Sequence, residues 1–118
     1  MQTWAFNPLY FHSGLAGTAP HGSLFASVTV AATTSAAAGI LPTTSTNQVQ
    51  IANQTAAWAY VNFGTSGNVV AATVAASYPV APGAVVVVTV DDEVTGVSVI
   101  LAAGATAGSV TFTCGNGL

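Results

Sequence analysis

The only acidic side chains of the chain belong to three consecutive residues, Asp91, Asp92 and Glu93. Three carboxylates can ligate Ca²⁺, which takes about six to eight oxygens, and two facing carboxylates can serve as the acid and base of a glycosidase. Neighbouring residues of an extended chain do not aim at one ion, however, and adjacent turn residues do not face each other across a cleft. We therefore expect a solvated hairpin turn, without a bound metal, that supplies solubility or contacts a basic partner.

The remaining reactive side chains are too few to form a catalytic centre. His12 and His21 lack a third zinc ligand nearby. Cys114 lacks the Lys or Arg neighbour that activates a thiolate, because the chain contains neither residue. No G-x-S-x-G elbow of a hydrolase is present, and a G-x-x-x-x-G-K phosphate loop is impossible without Lys. We expect no enzymatic activity, no catalytic residue and no cofactor.

Charge is nearly absent from the whole chain. Among 118 residues there is no Lys or Arg, and charged residues make up 3%, against about 25% in average proteins. Nucleic-acid binding depends on basic side chains that meet phosphates, so we expect no DNA or RNA partner. The longest apolar run, AVVVV at 84–88, is far shorter than the ~20 residues of a membrane helix, so we expect no membrane association.

The N-terminal sequence carries no basic residue and is interrupted by polar residues and Pro, unlike a secretory signal. We expect the chain to be made and kept in a cytoplasm, unless a longer precursor was trimmed. The single cysteine agrees with a reducing compartment. Asn53, Gln54 and Thr55 fit the glycosylation pattern, but without a signal peptide we interpret them as a β-turn.

From Phe25 onward the hydrophobic pattern has a period of two, which is typical of β-strands. Predicted strands include LFASVTVAA, NQVQIAN, AAWAYVNFG, VVAATVAAS, AVVVVTV, VSVILA and SVTFT. The turn signals between them are NQTA, GTSGN, YPVAPG, DDEVTG and AGATAG, spaced about 8–12 residues apart as in antiparallel sandwiches. The sequence predicts one all-β domain over residues 25–118, an antiparallel β-sandwich or jelly-roll-like fold. Its predicted core consists of Val28, Val30, Val49, Ile51, Val61, Phe63, Val99, Leu101, Val110 and Phe112.

Residues 1–24 show no clear period and are rich in aromatic side chains. Frayed terminal segments are usually poor in aromatic residues. We therefore expect an extended N-terminal arm that packs on its own domain or on a neighbouring subunit. The candidate contact residues of this arm are Trp4, Phe6, Tyr10 and Phe11.

Two further aromatic residues, Trp58 and Tyr60, alternate with Ala57, Ala59 and Val61 along one predicted strand. If the Ala and Val side chains face the core, the two aromatic rings point outward. They then either cover the core from one end, lie under the arm, or contact another subunit, because Trp and Tyr are favoured at interfaces.

Soluble β-proteins usually protect strand edges with charged residues, and this chain does not. Burial in an ordered assembly removes that liability, because exposed edges and apolar patches become contacts. The sequence therefore favours a structural subunit over an enzyme.

One family resemblance bears on the kind of assembly. It is carried by two stretches of the chain, NQVQIANQTAAWAYVNFG and SYPVAPGAVVVVTVDDEVTGVSVILAAGATAGSVTFTCGNGL. Together these stretches resemble small virion proteins of tailed bacteriophages. The shared pattern is a V-x-F-G strand end, a P-G turn before a Val-rich strand, and a last strand that leads to G-x-G-L, over about residues 47–118. The resemblance does not include residues 1–24.

What the resemblance implies is a structural protein that decorates or cements the capsid surface. Its implied partners are the major capsid protein and copies of itself, as a homotrimer, in a virion assembled from proteins made in the host cytoplasm. Two alternatives remain open. One is a fibre or adhesin module that recognises a glycan or host surface, and the other is a pilin-like structural subunit.

Overall fold

The computed structural model describes residues 7–8, 10–11, 24–42, 47–91 and 93–116, and at 7–8, 10–11, 24–25 and 116 it describes the backbone alone. The described residues form an all-β fold without an α-helix, which confirms the predicted class. No helix in this part of the chain is long and apolar enough to cross a membrane.

Eleven strands are present in the described residues. They are β1 (Asn7–Pro8), β2 (Tyr10–Phe11), β3 (Leu24–Phe25), β4 (Ser27–Ala32), β5 (Ala37–Ile40), β6 (Gln48–Asn53), β7 (Ala59–Gly64), β8 (Tyr78–Val80), β9 (Val85–Thr89), β10 (Gly96–Leu101) and β11 (Gly108–Asn116). Sheet I has the order β4–β11–β6–β9, and β1 pairs with the end of β11 beyond β4. Sheet II has the order β5–β10–β7–β8, and β2 pairs with β3 separately.

The eight strands from β4 to β11 pair in a nested order. β4 pairs with β11, β5 with β10, β6 with β9 and β7 with β8, all antiparallel. This long paired ribbon is folded over, so that β11 also pairs with β6 and β10 also pairs with β7. Two four-stranded sheets built in this way have the topology of a jelly roll, which the sequence predicted as one of two sandwich forms.

The core lies between the two sheets. Phe63 of sheet II meets Phe112 of sheet I edge to face, with ring centroids 6.3 Å apart. Eight of the ten predicted core residues are buried, while Val28 and Phe63 are partly buried at the margin of the core. The alternation in β4 is also as predicted, since Val30 and Ala32 are buried while Thr29 and Ala31 are exposed.

Three local expectations are wrong. VVAATVAAS (69–77) forms no strand, because β10 and β7 already have strand neighbours on both sides. Residues 78–80, expected within a turn, form the edge strand β8 instead. The acidic turn at 91–93 does not close a hairpin, since β9 lies in sheet I and β10 in sheet II.

The sandwich has two chemically different ends. Turns 33–36, 54–58, 81–84 and 102–107 form one end, where backbone hydrogen bonds join Leu101 to Thr33 and Ala102 to Trp58. None of these turns contains a charged residue, and we call this the uncharged end. The other end, which we call the acidic end, holds the described parts of the connections after β5, β7 and β9, at 41–42 and 47, at 65–68, and at 90–91 and 93–95. There Thr95 accepts a backbone hydrogen bond from Leu41 and donates one to Gly64.

Candidate interaction surface

The acidic residues lie at the acidic end, in the connection from β9 to β10. Asp91 and Glu93 are exposed, and the Asp91 carbonyl accepts a hydrogen bond of 3.1 Å from the Val94 N–H. Asp92 lies outside the described residues. No group of three metal-ligating side chains occurs in the described part of the chain. The exposed turn agrees with the expectation of a solvated cluster, and its contact with a basic partner stays a prediction.

Trp58 and Tyr60 lie on the side of sheet II that faces away from the core. Their neighbours Ala59 and Val61 are buried, whereas Trp58 is 46% exposed and Tyr60 is partly buried. In the strand register Tyr60 lies between Ile100 of β10 and Pro79 of β8. Trp58 immediately precedes β7, at the uncharged end. Their outward position agrees with the sequence pattern, and their role at an interface stays a prediction.

The aromatic arm is described only in part. Trp4 and Phe6 lie outside the described residues, as do His12 and His21. The backbone of Tyr10 and Phe11 forms β2, which pairs with β3, and Asn7–Pro8 extends sheet I as β1. Some of the expected arm is therefore added to strands, and nothing in these pairings bears on the contact role of the four aromatic residues.

Asn53 is the residue that the glycosylation pattern singles out, and it lies inside the protein. Its side chain is 2% exposed, and its Nδ2 donates hydrogen bonds to the carbonyls of Ala57, Val80 and Ala81. Its Oδ1 accepts hydrogen bonds from the N–H and hydroxyl of Thr55. A glycan cannot be attached to an amide in this position without breaking these bonds. Asn53 is the last residue of β6, and Gln54 and Thr55 follow it in the connection to β7.

The outer face of sheet I carries hydroxyl and amide groups in place of charges. The Ser27 and Thr113 hydroxyls are 2.8 Å apart, and those of Thr29 and Thr111 are 3.1 Å apart. The Thr111 hydroxyl also lies 3.1 Å from Oε1 of Gln54, to which it donates. These cross-strand bonds satisfy the side chains among themselves, so that this face offers a polar surface without ionic groups.

The outer face of sheet II is partly covered by residues 65–77, which we call the cover segment. Asn62 Nδ2 donates to the Val70 carbonyl at 3.1 Å, and the Ala72 N–H donates to Ser98 Oγ at 2.9 Å. Ser98 is buried within an otherwise apolar strand. This polar residue inside VSVILA is the signal in the sequence that something packs over β10, and the period of two alone does not reveal it.

Apolar side chains remain exposed around the cover segment and along two edges. Ile40 of β5 is 66% exposed and Val70 of the cover segment is 74% exposed. A groove of about 410 Å³ lies between β5 and the start of the cover segment, and it is lined by Ala38, Gly39, Ile40, Ser66, Gly67 and Val69. Its lining offers one hydroxyl and no charge, so it lacks the convergent polar groups of a small-molecule site.

The edge strand β9 is the second exposed apolar region. Val85 and Val87 are 59% and 43% exposed, on the same outer face as Gln50 and Ala52 of β6.

Comparison of the chain with protein-family models, curated proteins and solved structures finds no match.

Proposed function

We propose that this chain is a structural subunit of a tailed-phage virion, which decorates or cements the capsid surface. The observation that supports the proposal is the distribution of charge and apolar surface. The three acidic residues are consecutive in the sequence, and Asp91 and Glu93 lie in one turn at the acidic end. Exposed Ile40, Val70, Val85 and Val87 lie on faces and edges without any ionic side chain. Such a surface suits a subunit that is permanently bound to other subunits of an assembly.

The fold is compatible with this role but does not select it. Jelly rolls occur in capsid proteins, lectins and enzymes alike. The virion part of the proposal therefore depends on the resemblance over residues 47–118, and the assembly part depends on the surface. The partners we propose are the major capsid protein and further copies of this chain, with the homotrimer as the expected form.

The test is stoichiometric attachment. The purified chain is mixed with expanded capsids built from the major capsid protein of the same virus, and the bound fraction is measured by sedimentation. We expect saturation at a fixed ratio of chain to capsid protein, and for the free chain a light-scattering mass of one trimer or of two trimers joined in a pair. A chain that is monomeric at micromolar concentration and does not sediment with capsids would contradict the proposal.

The arm is tested in the same assay. Deletion of residues 1–24 should leave the sandwich folded, as judged by far-UV circular dichroism, but weaken attachment or self-association, because contact hot spots are rich in Trp and Tyr. If the shortened chain unfolds, the arm belongs to the core. If attachment is unchanged, the arm has no contact role.

A second candidate is a glycan-binding module, and exposed Trp58 is the observation that favours it. The Trp58 carbonyl accepts a hydrogen bond from the Ala102 N–H, so the ring is carried by paired backbone at the uncharged end. An exposed ring on a rigid support can stack against the apolar face of a sugar. Saturable quenching of tryptophan fluorescence by oligosaccharides, lost in Trp58→Ala, would favour this candidate over capsid attachment.

A further inference from the structure

The edge strands of the described chain differ in how well they are protected. β1 and β8 each contain a Pro, at Pro8 and Pro79, and each is very short. β5 has four residues and contains Gly39, and β4 is flanked by β5, with which it is in close contact. β9 runs Val-Val-Val-Val-Thr without Pro, Gly or charge. It therefore lacks the features that normally block strand addition.

The free main-chain groups of β9 follow from its pairing with β6. The Asn53 N–H donates to the Ala84 carbonyl, and the Val90 N–H donates to the Asn47 carbonyl, both at 2.9 Å. Because hydrogen-bonded positions alternate in an antiparallel pair, the even-numbered residues of β9 face β6. Val85, Val87 and Thr89 therefore direct their N–H and C=O groups away from β6, toward a side on which the described residues place no strand.

We propose that β9 is a self-association edge, which pairs antiparallel with β9 of a second copy about a twofold axis at Val87. In this register Val87 faces Val87 of the second copy, and Val85 faces Thr89 of the second copy. All three outward-directed residues then form hydrogen-bonded pairs. Sheet I continues from one copy into the next, and the exposed side chains of Val85 and Val87 pack against their counterparts.

The position of the acidic turn argues for a second copy in this orientation. Asp91 would lie opposite Gly83 of the second copy, so that the two Asp91 residues are separated by eight residue positions, or about 27 Å at ~3.4 Å per residue. That is about three Debye lengths at physiological salt, so their repulsion is screened. Parallel pairing would instead place the acidic turns side by side. The contact segment itself carries no charge that would require a basic partner.

The inference deepens the proposed structural role and rests on it for its biological purpose. A twofold contact joins copies in pairs. It would therefore link neighbouring trimers in an assembly, rather than build the trimer itself. Its test uses the purified chain without capsids, so that its failure leaves capsid attachment to be judged by the sedimentation assay.

Site-specific cross-linking tests the register. In a hydrogen-bonded pair the two Val87 Cα atoms lie about 5.5 Å apart, within the range of about 4.4–6.8 Å that a disulfide spans. The two Val85 residues are offset by four positions, about 14 Å along the strands. We expect Val87→Cys to form a disulfide-linked pair in a glutathione buffer and Val85→Cys to remain reduced. Cys114 is buried and stays in both variants. Equal cross-linking of the two variants, or none in either, would overturn the proposal.

The mass of the free chain gives an independent reading. Val87→Lys places two like charges at the axis, and we expect it to halve the mass measured by light scattering at micromolar concentration. Val74→Lys adds the same charge at a Val outside β9 that is 46% exposed, close to the 43% of Val87, and should leave the mass unchanged. A mass that Val87→Lys does not alter would overturn the proposal. The proposal would also be overturned if the wild type is monomeric and Val87→Lys abolishes its attachment to capsids. In that case the β9 edge would receive a strand from the capsid protein.

Discussion

Replacing Asn53 by Asp changes one nitrogen to oxygen at a point where three segments of the chain meet. The Asn53 Nδ2 donates to the carbonyls of Ala57, Val80 and Ala81 at 2.9, 3.0 and 3.1 Å. Its Oδ1 accepts from the Thr55 N–H at 3.0 Å and from the Thr55 hydroxyl at 2.7 Å. The bonds thus join the end of β6 to the turn before β7 and to the end of β8. An ionised Asp keeps the acceptor but has no donor for the three carbonyls.

The expected cost is large. The amide has two N–H groups for three carbonyls, so one N–H is shared, and two donated bonds at about 1 kcal/mol each give about 2 kcal/mol. A buried charge left without a partner raises the total to about 3–5 kcal/mol at pH 7. That is a substantial part of the ~5–15 kcal/mol by which a domain is stable. The carbonyl oxygens and the burial of the site raise the pKa of the introduced carboxyl in the folded state above its unfolded value of about 3.9.

The pH dependence has a definite sign. Because the folded state binds the proton more tightly than the unfolded state, protonation favours folding of the variant. This contribution is fully present below pH ~4 and is lost as the pH rises through the raised pKa of the folded state. The deficit of Asn53→Asp relative to wild type should therefore be smallest near pH 4 and largest at neutral pH. Asn53→Ala removes the same bonds without adding a charge, so its deficit should not change with pH.

Urea denaturation followed by circular dichroism, at pH 4 and pH 7, measures both deficits. Comparison with wild type cancels the titration of the acidic turn, which all three proteins share. The reasoning is refuted if Asn53→Asp is as stable as wild type at pH 7. It is also refuted if its deficit is independent of pH, as for Asn53→Ala.

Further outcomes follow from the packing and from the surface. Phe112→Ala should cost about 3–5 kcal/mol in urea denaturation because the ring is fully buried, and Phe63→Ala should cost less because that ring is partly exposed. Gly96→Ala should cost about 1–3 kcal/mol and speed amide exchange in the cover segment, because its Cβ would lie 2.7 Å from the nearest atom of that segment. Replacing Asp91, Asp92 and Glu93 by Asn, Asn and Gln should increase aggregation if these residues only solvate. If they dock on a basic capsid patch, the replacement should weaken capsid binding and remove its dependence on ionic strength. A variant unchanged in both solubility and binding would contradict either role.

Much of the local structure follows from the period of two in the sequence. Val49 and Ile51 are buried on one face of β6, and Val61 is buried on β7, because alternation decides which side chains can reach a core. The same reasoning fails for 69–77, where a run rich in Ala and Val has strand propensity but lies over sheet II, whose inner strands β10 and β7 are already paired on both sides. There the hydrogen bonds of Asn62 and Ser98 hold the chain across the sheet instead. Tertiary context overrides a weak local preference in such a case.

The strand pairing is harder to predict, because turn chemistry is the same whether a chain returns within a sheet or crosses to the facing one. The stretch 48–64 illustrates this point. β6 and β7 flank a short turn, as the sequence predicts, yet they belong to different sheets and pair with strands distant in sequence. The nested pairing depends on contacts such as that between Phe63 and Phe112, which no local pattern encodes. For the same reason the sequence indicated outward-facing aromatic residues but not the exposed edge at β9.

The location of the acidic turn connects the unusual composition to that edge. Asp91 follows β9 after a single residue, so the charges of the chain stand at the end of its most aggregation-prone strand. Charges that flank such strands act as gatekeepers. In parallel, in-register stacking, as in cross-β fibrils, each acidic turn would lie about 4.8 Å from the next, and the repulsion would accumulate with every added copy. In antiparallel pairing about Val87 the two turns lie at opposite ends of the contact. Three acidic residues placed there therefore discriminate between indefinite growth and a closed pair. An even distribution of the same charges over the surface would not provide that discrimination.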